Sequence, residues 1–137
     1  MSDSEAGLDF GAVFKGAVVG AVASLIESTV LGMVFLPGTP KSPAEAETMM
    51  KALMASQSYL LTDLGASLFC MAIGGYVAAG SAQRAGLVHG GITGALLMCF
   101  VGAMYSMSPH LTPGWYTGAT FILIIPAAAV GGLMRGV

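Results

Sequence analysis

Four long apolar runs constrain this chain more than any other feature of its sequence. They cover roughly residues 10–36, 59–80, 86–106 and 113–134. A helix needs about 20 apolar residues to cross the roughly 30 Å hydrocarbon core of a bilayer, and each run approaches or exceeds that length. The sequence therefore predicts an all-α, polytopic membrane protein, a single bundle of four transmembrane helices.

The composition fits a bilayer and excludes a soluble domain. Only 9% of the residues are charged and 55% are hydrophobic, with a mean hydropathy of +0.82. Soluble domains carry about 25% charged residues. The five Lys and Arg residues are scattered singly, whereas a nucleic-acid-binding protein needs them clustered. We expect the lipid bilayer as the partner, no nucleic acid, and no disulfide between Cys70 and Cys99, since each lies within an apolar run.

Basic residues predict the orientation of the four spans. The side that holds both termini carries Lys15, Arg84 and Arg135, and the other side carries Lys41 and Lys51. Because cytoplasmic loops are enriched in Lys and Arg, both termini are expected in the cytoplasm, in a multi-pass membrane protein. The acidic N-terminus does not resemble a secretory signal, so the first span is expected to be retained. An outer aromatic belt is then expected from Tyr59, Tyr105, Trp115 and Tyr116.

The connection between the first two spans has its own helix signal. Ser42-Pro43-Ala44-Glu45 is a capping-box pattern with proline at the first helical position, so the second helix is expected to begin near Pro43. This predicts an amphipathic helical extension over about residues 43–58, leading into the second span. Its apolar stripe either lies on the bundle and the membrane interface or forms a partner-docking surface; the stripe consists of Met49, Met50, Leu53 and Met54.

Small residues recur at every fourth position in the first span and at nearly every fourth position in the third. Such faces let helix backbones approach closely in lipid, so they predict the packing seams. The predicted seam residues are Gly16, Gly20, Ser24, Ser28 and Gly32 in the first span, and Gly86, Gly90, Gly94 and Gly102 in the third.

The first and third spans also repeat one pattern. Lys15-Gly16 with Gly20, and His89-Gly90 with Gly94, each place a basic or titratable residue before a glycine pair. The repetition predicts two helical hairpins in parallel repeat. Whether the seams lie within one bundle or between protomers is open. We expect a homo-oligomer or a larger membrane complex.

Residues 73–94 read IGGYVAAGSAQRAGLVHGGITG. This segment resembles a hairpin of small uncharacterised four-helix membrane proteins of prokaryotes, with the pattern GGYVA, an arginine, Leu-x-His-Gly, and a glycine four residues later. The pattern is carried here by Gly74, Gly75, Tyr76, Val77, Ala78, Arg84, Leu87, His89, Gly90 and Gly94. The resemblance implies a location in a prokaryotic inner (cytoplasmic) membrane, and it implies no activity.

Two acidic residues within the spans are the candidate functional groups. An ionisable residue such as Glu27 near the middle of a span costs about 2.5–3.5 kcal/mol and tends to face the bundle interior or a wet cavity. Asp63, near the outer end of the second span, is within reach of Glu27 if the first two spans pack as a hairpin. Either the two form a proton or cation relay, or Glu27 is a neutral hydrogen-bonded residue and Asp63 reaches interfacial water.

The remaining titratable residues suggest no catalytic or metal chemistry. His89, at the start of the third span, is either sensitive to pH or a satisfied interfacial residue. Two His and two Cys in separate spans lack zinc-site spacing, and no enzyme signature is present. We expect no catalytic residue, no metal and no cofactor.

Two functions are compatible with these observations. The favoured one is a non-enzymatic accessory or assembly subunit, or a self-associating bundle, because polar groups are scarce and small-residue seams are extensive. The alternative is a small oligomeric proton- or cation-coupled channel or transporter that uses Glu27 and Asp63.

Overall fold

The structure, a computed structural model, describes residues 7–36, 38–83, 85–107 and 111–135. These residues form five helices: α1 (Phe10–Phe35), α2 (Pro43–Ala55), α3 (Gln57–Ala82), α4 (Gly86–Met107) and α5 (Gly114–Arg135). All except α2 are long and apolar enough to cross a membrane. The predicted all-α class with four transmembrane helices is thus confirmed, and each span ends within two residues of its predicted limits. Arg84 of the hairpin pattern lies outside the described residues.

Hydroxyl and carboxylate side chains cap the starts of three helices. Asp9 accepts from the Ala12 N–H at 3.0 Å before α1, and Ser42 accepts from the Glu45 N–H at 3.2 Å before α2. Glu45 in turn accepts from the Lys41 N–H at 2.7 Å. These bonds satisfy N–H groups that have no partner within the helix.

A break at Ser56 separates α2 from α3. We expected the extension to lead into the second span, but Ser56 has extended backbone (φ −81°, ψ 111°) and its hydroxyl caps α3 by accepting from the Tyr59 N–H. The two helices can therefore point in different directions. Leu53 of α2 is buried in one apolar cluster with Tyr59, Leu60 and Tyr116, so the stripe on α2 faces the bundle.

The four long helices pack as two hairpins, α1 with α3 and α4 with α5, joined chiefly by α3 against α5. The start of α1, the α3–α4 connection and the end of α5 share one end of the bundle, which we call the terminal end. The opposite end, which carries α2, is the α2 end.

Glycines close the half of the bundle nearest the terminal end. A Cβ on Gly16 would lie 2.5 Å from the carbonyl oxygen of Gly74 and 2.6 Å from the Cβ of Ala78. A Cβ on Gly90 would lie 2.5 Å from the carbonyl oxygen of Ala128 and 3.1 Å from the Cα of Gly132. A glycine on the first helix of each hairpin thus meets residues four apart on the second, as the parallel repeat predicts.

The seam of α1 does not continue over the whole predicted stripe. Gly20 is close to Leu97 and Gly74, at 3.0 and 3.4 Å from an added Cβ, whereas Gly32 has no atom within 4 Å of one and Ser28 is exposed. Small residues permit close approach only where the facing helix is also thin. In its second half α4 presents large side chains such as Phe100, so α1 and α4 separate there.

Candidate functional site

A cleft of about 410 Å³ opens between α1 and α4 in the half of the bundle nearest the α2 end. α3 and α5, which pack against each other, form its floor, and α2 contributes Met50, Leu53 and Met54. This volume is within the range of small-molecule sites in proteins, about 300–1,000 Å³. Its polar lining consists of Ser24, Ser28, Tyr59, Asp63, Ser67, Tyr105, Thr112, Tyr116 and Thr120.

Asp63 is the buried acid of this cleft, with only 7% of its surface exposed. The Tyr59 hydroxyl, one turn earlier on α3, donates to Asp63 Oδ1 at 3.4 Å, and the Tyr116 hydroxyl of α5 donates to Oδ2. The Tyr59 ring is itself fixed by an edge-on contact with Phe35, with centroids 5.5 Å apart. Both carboxyl oxygens therefore have a hydrogen-bond donor, as a buried polar group requires.

These contacts correct one expectation from the sequence. Tyr59 and Tyr116 were expected in an interfacial belt, but they are 4% and 5% exposed and point inward to Asp63. Asp63 accepts a hydrogen bond from each of them. Trp115, in contrast, is 49% exposed. The spacing of Tyr59 and Asp63, four residues apart on one helix face, was a signal for their contact, whereas Tyr116 comes from another helix and left none.

Glu27 lies beside the cleft and is joined to it through Ser67. The Ser67 hydroxyl donates to Glu27 Oε2 at 3.1 Å and also lines the cleft. Glu27 Oε1 is buried and has no hydrogen-bond partner within the described part of the chain, and the same holds for Ser24 Oγ. A buried polar atom without a partner is costly, which marks this region as a candidate for ligand, water or proton binding.

The two acids meet the same face of α3. Ser67, the partner of Glu27, follows Asp63 by four residues, so the attachment points are about one 5.4 Å helical turn apart. The sequence predicted that Asp63 is within reach of Glu27, and in the structure Glu27 contacts α3 at Ser67, one turn after Asp63. Sequence reasoning missed Ser67, although a small polar residue one turn from Asp63 was a usable signal.

None of the described residues that line the cleft is Lys, Arg or His, so no positive side chain there offsets the acids. The ion pair between Lys51 and Glu47, 2.7 Å apart, lies on the exposed face of α2, where both side chains are 63% exposed. The cleft therefore combines hydroxyl groups with one acidic side chain, Asp63, that no basic side chain of the lining compensates.

His89 lies elsewhere, near the terminal end. It is 2% exposed, its Nε2 accepts from the Asp9 N–H at 3.1 Å, and its Nδ1 is 3.1 Å from the Ala85 carbonyl oxygen. An Nε2 that accepts and an Nδ1 that donates define a neutral ring. His89 is thus a buried link between α4 and α1 and is not brought together with Glu27 and Asp63.

A second bond of the same kind lies nearby. The Thr93 hydroxyl donates to the Val13 carbonyl oxygen at 3.5 Å. We call the His89–Asp9 and Thr93–Val13 bonds the α1–α4 clasp.

Replacing His89 by alanine is expected to lower the stability of the bundle by about 1–3 kcal/mol, because the Asp9 N–H loses its acceptor and a buried ring is removed. The measurement is the midpoint of thermal unfolding in detergent. Val88→Ala, at a half-exposed neighbouring position, is the matched control. Equal midpoints for the two variants would show that the clasp does not hold α1.

Other signatures of function are sparse. Within the described residues, no group of three or more His, Cys, Asp or Glu side chains is placed to hold a metal ion. Cys70 is buried and Cys99 exposed, and neither is in a disulfide. Comparisons with known protein families, with curated proteins and with solved structures give no match for this chain.

Proposed function

We propose that this chain is a small proton-coupled cation transporter of a prokaryotic cytoplasmic membrane, acting through Glu27 and Asp63. The observation that supports it is a cleft that Asp63 lines and that Glu27 joins through Ser67; the cleft is open in one half of the bundle, while glycine contacts close the other. Access to a mid-membrane site from one side at a time is the geometry of secondary transporters built from repeats. With both termini in the cytoplasm, the cleft lies in the outer half of the bilayer.

In this proposal Asp63 is the cation site. Its carboxylate lies on the floor of the cleft in an apolar core, where a charge is attracted more strongly than in water. The Tyr59 and Tyr116 hydroxyls fix its orientation. None of the described residues that line the cleft is basic, so an arriving cation would itself neutralise the Asp63 carboxylate.

Glu27 is the proton site. A proton delivered from the cleft to Ser67 Oγ can be matched by transfer of the Ser67 hydroxyl proton to Glu27 Oε2, 3.1 Å away. One proton enters at Ser67 and one arrives at Glu27, so the serine is unchanged at the end of the step. Ser67 therefore connects Glu27 to the cleft, which the Glu27 side chain itself does not line.

The two hairpins supply a means of alternation. The backbones of α3 and α5 cross closely where Gly75 meets Ala128 and Gly131 meets Ala72, which suits a pivot. Rocking about this crossing would bring the α2 halves of α1 and α4 together and separate Asp9 from His89 at the terminal end. The clasp would then be the inner gate.

Replacing Glu27 by glutamine is expected to lower cation-driven proton flux about tenfold or more, because the amide cannot take up a proton yet can still accept from Ser67. The measurement is the lumenal pH of proteoliposomes after a cation is added outside. Glu47→Gln, an exposed glutamate of α2, is the control and should leave the flux unchanged. Unaltered flux in Glu27→Gln would refute its role as proton carrier.

An accessory or self-associating subunit is the second candidate, and the surface of α1 favours it. Only Ala12, Val13, Gly16 and Gly20 of this helix are buried among its described residues, while side chains such as Ile26 and Met33 are 60% and 76% exposed. This apolar surface can face lipid or the helices of a homo-oligomer or a larger membrane complex.

Extraction in a mild detergent, followed by the mass and composition of the particle, separates the two candidates. A heterogeneous complex of fixed stoichiometry would support the accessory role. A pure homo-oligomer or monomer that carries cation-driven proton flux would support the transporter.

A further inference from the structure

We propose that the cleft selects a bulky, amphipathic organic cation, such as a quaternary ammonium or phosphonium compound with aromatic or alkyl groups, over a bare metal ion. This inference rests on the proposed transport function and names the substrate class of the same site.

The size and ligand set of the cleft argue against a bare ion. Oxygen-binding cations such as Ca²⁺ take about six to eight ligands in a tight shell. Here Asp63 is the acid of the lining, both of its oxygens are already engaged by tyrosines, and about 410 Å³ of space surrounds it. Asp63 can therefore attract a cation without supplying a full shell of ligands, and the space around it is wide. This arrangement suits a large cation whose charge is spread over many atoms.

The lining supplies complementary contacts for such a body. Four methionines face the cleft, from α2, α3 and α4, and thioether side chains adapt to ligands of varied shape. Tyr59, Tyr105 and Tyr116 also line the cleft, and aromatic rings attract cations. The methionines are Met50, Met54, Met71 and Met104.

The mouth of the cleft indicates the route of entry. Leu25 of α1 and Phe100 and Met104 of α4 line the cleft and are also 51%, 37% and 48% exposed. They lie within membrane-spanning helices, so the gap between α1 and α4 faces hydrocarbon. Amphipathic cations partition into a bilayer, whereas hydrated metal ions do not.

The test begins with calorimetric binding to the purified full chain in detergent. Tetraphenylphosphonium, its neutral relative triphenylphosphine oxide, NaCl and KCl are compared. Tetraphenylphosphonium is expected to bind about tenfold more tightly than the neutral compound, and Asp63→Asn to remove that preference. Glu47→Gln serves as the control acid. Met104→Trp, which fills the mouth without touching the carboxyl, should weaken binding even if Asp63→Asn does not fold.

Proteoliposome flux separates this inference from the proposed function. Proton movement driven by tetraphenylphosphonium supports both. Movement driven by Na⁺ or K⁺ but not by tetraphenylphosphonium would overturn the substrate class and leave proton-coupled transport standing. Absence of flux with every cation would remove the transport function, and equal binding of the charged and neutral compounds would overturn the cation selectivity.

Discussion

Replacing Gly75 by valine is expected to prevent the two hairpins from packing and to destabilise the bundle by about 3 kcal/mol or more. A Cβ at this position would fall on the carbonyl oxygen of Ala128 and lie 2.7 Å from its carbonyl carbon. The obstacle is backbone, so no side chain can rotate out of the way, and overpacking that already costs about 1–3 kcal/mol among side chains should cost more here. Gly131→Val meets the backbone of Ala72 in the same way and should behave alike.

The measurement is the yield of monodisperse protein in detergent together with its thermal midpoint. Gly91→Val and Gly118→Val are the matched controls, because an added Cβ at either helical position has no atom within 4 Å. They carry the same loss of flexibility and the same β-branched side chain, without the collision. If Gly75→Val matched the controls in both yield and midpoint, the close crossing of α3 and α5 would not exist in the protein.

The sequence was a good guide to the spans and to the closed half of the bundle. Lipid offers backbone groups no hydrogen bonds, so apolar runs of this length can only be helices that satisfy themselves. The glycine repeat predicted close approach, and Gly16 and Gly90 make it in their respective hairpins. Both inferences rest on local sequence patterns, so they could be made without knowing how the helices pack.

The cleft could not be predicted, because it depends on which side chains of neighbouring helices face each other. Ser28 and Gly32 continue the small-residue period of α1, but whether that face packs or opens is decided by Phe100 and its neighbours on α4. The break at Ser56 was equally hidden, since the residues around it suit a helix on both sides. The inward turn of Tyr116 followed from a partner 53 residues away in the chain.

The two halves of the bundle therefore carry different properties of the protein. Near the terminal end, glycine contacts and the α1–α4 clasp fix the helices. Near the α2 end, Asp63 and Ser67 are held in a space that side chains do not fill. A closed half stabilises an open one, which allows a chain of this size to keep a buried acid in a cleft.

Removing the Asp63 carboxyl and the Tyr116 hydroxyl is expected to be strongly non-additive. Asp63→Leu leaves two tyrosine hydroxyls without an acceptor, and Tyr116→Phe leaves a buried carboxyl with only the Tyr59 bond. Each single change should cost about 1–3 kcal/mol, the range that covers hydrogen bonds to charged groups and unpaired buried groups. The double variant should be more stable than the sum of the two losses predicts, because an apolar pair leaves less unsatisfied.

The unfolding midpoints of the four proteins in detergent give the coupling free energy, expected at about 1–3 kcal/mol. Tyr76→Phe is the matched control: its hydroxyl accepts from Arg135 at 2.7 Å near the terminal end, so its effect should add to that of Asp63→Leu. Additive losses for Asp63 and Tyr116 would mean that the carboxyl is solvated in the cleft rather than held by the tyrosines. The cation would then meet a hydrated acid, and preorganisation by Tyr59 and Tyr116 would have to be abandoned. If instead the Asp63 and Tyr116 losses are coupled and Asp63→Leu also loses cation binding, the Asp63 carboxyl contributes to both stability and cation recognition.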